Sequence, residues 1–211
     1  CSEIPPADLV RRYLDQGFRG VVITNHFNLE YLLGLPKEEA LDYYLAGYEE
    51  AKAAAEGTGL RIFLGTEIRF NEHPNEYLIY GVDRQLLSKC YDYLDKGLSV
   101  YREEVSLPNS VFVQAHPFRD RMVRREPELL DGMEVFNMHP GHNSRVAQAA
   151  KLAATIPGCI KTVGTDFHHP THEGLCALRV RQLPETSFDI ASVLRSGDYV
   201  FELGGDTIIL P

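Results

Sequence analysis

No stretch of these 211 residues approaches the roughly 18–20 consecutive apolar residues that a membrane-spanning helix needs. No basic segment followed by an apolar one suggests export. A membrane partner is therefore not expected, and the cytoplasm is the default location. Positive charge is also scarce, with 21 Lys and Arg against 30 Asp and Glu, a net charge of −9. The one basic stretch is Arg119 to Arg125, so an extended nucleic acid is disfavoured as a partner. A small phosphorylated substrate stays compatible, because the local charge of a metal ion can outweigh the global balance. Cysteine is sparse: Cys1, Cys90, Cys159 and Cys176 form no CxxC pair. That argues against a structural zinc knot or a disulfide framework, and reduced thiols fit the cytosol.

What is present is ordinary for one globular domain over residues 1–211: 44% hydrophobic and 24% charged residues, at a length that single α/β barrels commonly have. Pro5 and Pro6 open a helix that Gly17 closes. Residues 37–56 carry apolar side chains at helical spacing and predict a long helix, and further helices are predicted over about 84–105, 142–156 and FDIASVLRSG. Short Val- and Ile-rich runs lie between them: GVVITNHF, RIFLGTEIRF, EYLIYGVD, VFVQAHPF, GMEVFNMHPGH and CIKTVGTDFHH, with DYVFE and TIIL closing the chain. The second and third can pair as a hairpin across FNEHPN. The alternation predicts an α/β fold with a largely parallel sheet, either a barrel or an open sheet.

The polar residues favour the barrel. Five runs end in metal-type or polar residues: Thr24-Asn25-His26, Gly65-Thr66-Glu67, Gln114-Ala115-His116, Val135-Phe136-Asn137, and Gly164-Thr165-Asp166-Phe167-His168. In an α/β barrel the C-terminal strand ends converge on one mouth. Each ending alone reads as a helix cap or a surface residue. Together they form a His-plus-carboxylate set suited to two or three divalent ions of Zn, Mn or Fe. Such ions bind phosphate and lower the pKa of a water. Asp166 and His168 would face one side if the strand continued through them.

VVITNH at 21–26, FLGTEI at 63–68, AHP at 115–117, DGMEVFN at 131–137 and GTDFH at 164–168 together resemble the PHP (polymerase and histidinol phosphatase) family of metal-dependent phosphoesterases. They occur in the family's order and cover nearly the whole chain. The resemblance implies a distorted (β/α)7 barrel of TIM-like type and a site for up to three metals. It implies His26, Glu67, His116, Asp166 and His168 as ligands, with Glu76 where the family often has His. It also implies a His-x-His strand, expected upstream of residue 1. Cys1 falls near a position where some members place another His; it is read here as a loop thiol, with a thiolate ligand as the alternative.

A phosphate also needs cationic partners. Arg69, Arg119 and Arg145 lie near the strand endings, and guanidinium grips phosphate through a two-pronged fork. Each could instead pair with a nearby acid such as Glu72, Asp120 or Glu134. Asn137 is a further candidate for holding substrate, and His139 or His142 for protonating a leaving alkoxide. We assign His142, Arg69 and Arg119 as the catalytic set. His73, His169 and His172 read as peripheral. The expected activity is hydrolysis of a small phosphomonoester by metal-activated water. The alternatives are a non-catalytic metal-binding or regulatory domain and an exonuclease removing 3′ or 5′ nucleotides. A C–N hydrolase on a similar barrel would place a lysine at a strand end, and none stands there. The sequence leaves the oligomeric state open.

Overall fold

The computed structural model describes residues 1–173 and 176–211. Helix α1 (Pro6–Asp15) starts at a proline and turns Val10 and Tyr13 inward. Strand β1 (Gly20–Ile23) follows, and β2 (His26–Phe27) continues in its direction. Helix α2 (Lys37–Ala55) buries Ala40, Leu41, Tyr44, Ala51 and Ala55 along one side. Strands β3 (Arg61–Ile68), β4 (Tyr77–Tyr80) and β5 (Val111–Gln114) are buried on both faces, apart from Arg61. That explains their unbroken apolar character. Helices α3 (Arg84–Tyr91) and α4 (Leu98–Glu104) lie between β4 and β5, two helices where one long one was predicted. Their break falls before Gly97, whose φ of +88° suits glycine.

A short 3-10 turn at Pro127–Leu129 leads into β6 (Gly132–Asn137), α5 (Val146–Ala153) and β7 (Ile160–Gly164). Strand β8 (Cys176–Val180), helix α6 (Ser187–Ser196), β9 (Tyr199–Leu203) and β10 (Thr207–Ile209) complete the chain. The capping box of Thr186 and Asp189 starts α6.

Seven strands form one sheet in the order β1-β3-β4-β5-β6-β7, with β2 also pairing β3. All pairs are parallel except those of β4, which runs against both neighbours. The expected hairpin is therefore present. The closing strands β9 and β10 join β8 in a separate three-stranded antiparallel sheet. The sheet curls into a distorted, open TIM-like barrel. Among the described residues no strand pairs with the outer edge of β1 or of β7. A cavity of about 730 Å³ lies between them, lined by Val21, Ile23, Thr162 and Gly164 and reaching Glu67 and Asp166 at the rim. One apolar cluster packs α2, α3 and α4 on β3 and β4, and a second joins β5 and β6 to α5, α6 and β9. Among the described residues no helix is long and apolar enough to cross a membrane.

Candidate metal centre

Backbone register sets the first contacts. His26 on β2 pairs directly with Glu67 on β3. Because β4 is antiparallel, its beginning, not its end, lies at the same rim. Glu76 precedes β4 there, and its carbonyl accepts the amide of Ala115, the residue before His116. Four neighbouring strand segments thus deliver His26, Glu67, Glu76 and His116 to one place.

Glu67 Oε2 lies 3.0 Å from His26 Nδ1, and Glu67 Oε1 lies 3.1 Å from His116 Nε2. Glu76 stands opposite, 3.5 Å from His26 Nδ1 and 3.4 Å from His116 Nε2. Two imidazoles and two carboxylates thus interleave in a buried cluster. His26, Glu67 and Glu76 each offer a ligand atom, all within 4.8 Å of one another. Burial alone would raise the Glu67 carboxyl, but hydrogen bonds to His116 and His26 hold it down at about 2. Burial would lower His116, and its bonds to Glu67 and Glu76 outweigh that, raising it to about 10.

Asp166 and His168 form the adjoining part. Strand β7 ends at Gly164, and Asp166 takes a left-handed φ of +50°. The strand alternation expected to align this pair is therefore absent. A turn brings them together instead, with His168 Nε2 2.9 Å from Asp166 Oδ1. Burial would raise the Asp166 carboxyl, and its bond to His168 leads a larger pull downward, while Asp166 raises His168. His116 also has a positive φ, +27°. Backbone strain of this kind is retained where a site holds it in place.

Arg119 joins the two parts. Its Nη2 donates to Glu76 Oε2 at 2.5 Å, and its Nη1 lies 3.8 Å from Asp166 Oδ2. The other two arginines pair elsewhere. Arg69 bonds Glu30 at 2.7 Å, and Arg145 bonds Asp120 at 2.6 Å and the carbonyl of Phe118. Asn137 lies at the centre, but protein groups take its hydrogen-bonding capacity. Its amide donates to Glu134 and to Asp166, both at 3.1 Å, and its oxygen accepts from His139 N and Ser144 Oγ. It positions Asp166, with no free polar atom left for substrate. His142 is exposed and stacks on His139 at 4.1 Å between ring centroids; His139 in turn lies 5.8 Å from His168.

One participant escaped the sequence reading, and a second, Cys1, was read there as a loop thiol. Glu134 is buried on β6 and accepts the backbone N–H of His116 at 2.9 Å, fixing that left-handed residue. Burial raises its carboxyl to about 7. The signal was an acid inside an apolar run, GMEVFN, where a buried carboxylate needs a partner. Cys1 places its Sγ 3.3 Å from Asn25 Oδ1 and within ligand range of His26 and His168.

The fold has solved counterparts. A two-domain protein from Bacteroides vulgatus, containing a predicted PHP-like metal-dependent phosphoesterase, matches with a TM-score of 0.60 at 14% identity. The match covers 96% of this chain and 61% of that one. A protein from Bifidobacterium adolescentis, provisionally assigned as a metal-dependent phosphoesterase, matches at 18% identity and a TM-score of 0.49 over 92% of both chains. No family model matches the chain, and no curated protein matches it. At 14% identity the Bacteroides likeness shows the fold alone: a PHP-like distorted barrel.

Proposed function

We propose that this protein is a metal-dependent phosphoesterase that hydrolyses a small phosphomonoester. The observation that carries the reading is the interleaved cluster of His26, Glu67, Glu76 and His116, with Asp166 and His168 beside it. Two buried carboxylates, Glu67 and Glu76, and the part-buried Asp166 share one permanent cation, Arg119, so further positive charge is needed to balance them. His116 Nδ1 is buried with no hydrogen-bond partner among the described residues, an orphan that fits a site designed around something more than protein atoms. The donor set of imidazole nitrogen and carboxylate oxygen suits Zn²⁺, Mn²⁺ or Fe²⁺. His26, Glu67, Glu76, His116, Asp166 and His168 would hold two or three such ions. Bound there, a divalent ion supplies Lewis acidity and lowers the pKa of a water.

The chain's own residues do the rest. Glu67, with one oxygen toward each imidazole, sets the spacing between the parts of the site. Asn137 and Glu134 keep Asp166 and the His116 backbone in place. Arg119 is the cation poised to exchange a carboxylate partner for a phosphoryl oxygen. Arg69 and Arg145 would act on substrate only after leaving Glu30 and Asp120. His142 or His139 would protonate a leaving alkoxide. The slot between β1 and β7 has room and unpaired edges for one further strand, and we propose that the His-x-His strand takes it. The PHP-like assignment of the Bacteroides neighbour agrees with this activity.

The test is release of inorganic phosphate from a phosphomonoester panel by full-length protein with Mn²⁺ or Zn²⁺. Arg119→Ala should lower kcat/KM by about 10–100-fold, the loss of one charge-assisted hydrogen bond to phosphate. Metal-loaded protein with no turnover across the panel would leave the regulatory reading in its place.

A further inference from the structure

We propose that the loop after β2, residues 28–35, is an apolar wall beside the metal centre with Tyr31 as a specificity-determining residue, and that the substrate is the phosphate monoester of an alcohol with an apolar body. This rests on the phosphoesterase reading above and deepens it by naming the leaving group. In an α/β barrel the loops that follow the strands build the wall of the mouth. Residues 28–35 are such a loop, since they leave β2 at the rim and lead into α2. Five of the eight residues in this loop, NLEYLLGL, are Leu or Tyr.

The fold uses only part of that apolar surface. Leu32 is fully buried and anchors the loop in the cluster between α2 and β3. Leu33 is 65% exposed and takes a left-handed φ of +57°. A bulky side chain is strained in that conformation, and here it gains no burial in return. Tyr31 is half-buried, and its ring meets the ring of His26 edge-on, 5.6 Å away at an interplanar angle of 64°. An aromatic side chain thus stands against one of the residues placed above as metal ligands. Tyr43, on the second turn of α2, is 47% exposed near it.

The wall is held in place before any ligand arrives. Tyr31 N donates to Asn28 Oδ1 at 2.9 Å, Leu32 N to the Asn28 carbonyl at 2.9 Å, and Gly34 N to the Leu29 carbonyl at 3.1 Å. Glu30 bonds Arg69 at 2.7 Å, which ties the loop to the turn that ends in Glu76. A surface fixed in this way loses little freedom on binding. With the phosphoryl group at Arg119, the body of the alcohol lies toward Tyr31 and Leu33. A sugar or polyol there sets hydroxyl groups against apolar side chains that offer them no partner.

The experiment compares 2-phenylethyl phosphate, ethyl phosphate and glycerol 1-phosphate with full-length, Mn²⁺-loaded protein. All three release primary alcohols, so the chemistry at phosphorus is matched. The kcat/KM for 2-phenylethyl phosphate should exceed that for ethyl phosphate roughly tenfold or more, with glycerol 1-phosphate no better than ethyl phosphate. In Tyr31→Ala the phenylethyl-to-ethyl ratio should fall to about two or less, and Tyr31→Phe should restore it. Leu33→Asn removes the apolar group and keeps a residue that tolerates the left-handed backbone, so the fold is retained while the ratio drops roughly threefold. Equal kcat/KM for the two esters in the wild type, or a ratio unchanged in both Tyr31→Ala and Leu33→Asn, overturns this inference and leaves the phosphoesterase reading standing. No phosphate release from any of the three esters sinks both.

Discussion

Replacing Glu67 by Gln removes one charge and almost no volume, which makes it the sharpest probe of the site. At neutral pH a carboxyl held at about 2 rather than 4.5 corresponds to roughly 3 kcal/mol of folding free energy, at about 1.4 kcal/mol per tenfold. Removing one partner of a buried ion pair costs about 3–5 kcal/mol, the same range by an independent route. For a chain of this length each kcal/mol moves Tm by roughly 2–4 °C. Metal-free Glu67→Gln should therefore unfold about 6–12 °C below the wild type, read by circular dichroism in chelator. A metal at about 100 times its Kd contributes about 2.7 kcal/mol, so the wild-type Tm should rise by roughly 5–11 °C on adding Zn²⁺ or Mn²⁺. The variant should lose most of that rise. The sign with pH follows from the lowered carboxyl. Its contribution is full above about 4.5 and is lost as pH falls to about 2, so the gap between the proteins should close over that interval. A variant that unfolds with the wild type in chelator and keeps the metal-dependent rise would refute the reasoning.

Two further predictions concern the scaffold. Folded Glu134 keeps a proton up to about pH 7, whereas the unfolded chain releases it near 4.5, so this group lowers stability as pH rises between those values. In metal-free Glu134→Gln that decline should disappear from the urea midpoint, while the amide oxygen can still accept the His116 N–H; an unchanged pH profile would count against it. Gly132→Ala puts a methyl carbon 1.8 Å from the Ile160 carbonyl oxygen, where β6 and β7 pair. The strands must part, and a loss above about 4 kcal/mol or insoluble protein is expected; a native urea midpoint would show that pairing to be wrong.

Much of this was legible in the residues. The endings at His26, Glu67, His116 and Asp166 marked the rim because strands that are apolar throughout must place their chemistry at their ends. The roles of Glu76 and Glu134 were harder to see. Glu76 reaches the site because β4 runs backward from the FNEHPN turn, a hairpin the sequence allowed without showing that its second strand would begin at the rim. The Asp166–His168 pair was identified, but the strand geometry invoked for it was not what unites it; a left-handed residue does that, and aspartate tolerates that conformation without advertising it. The run CALRV of strand β8 was not singled out as a strand, so the small second sheet went unforeseen. Which arginine would reach the carboxylates depended on competition with Glu30, Glu76 and Asp120, and only three-dimensional proximity decides that.

The reversal of β4 has a consequence for how the protein can change. The β3–β4 connection crosses the rim as a single short turn, while the long excursion through α3 and α4 hangs from the far end of the barrel. The middle of that excursion returns to the turn: Leu94 O accepts from Asn71 N and Leu98 N donates to Glu72 Oε1, both at 2.9 Å, so a change of length within 83–110 reaches the ligands through residues 71–72. The turn at 69–76 is held from both sides, since it also ends in Glu76 itself.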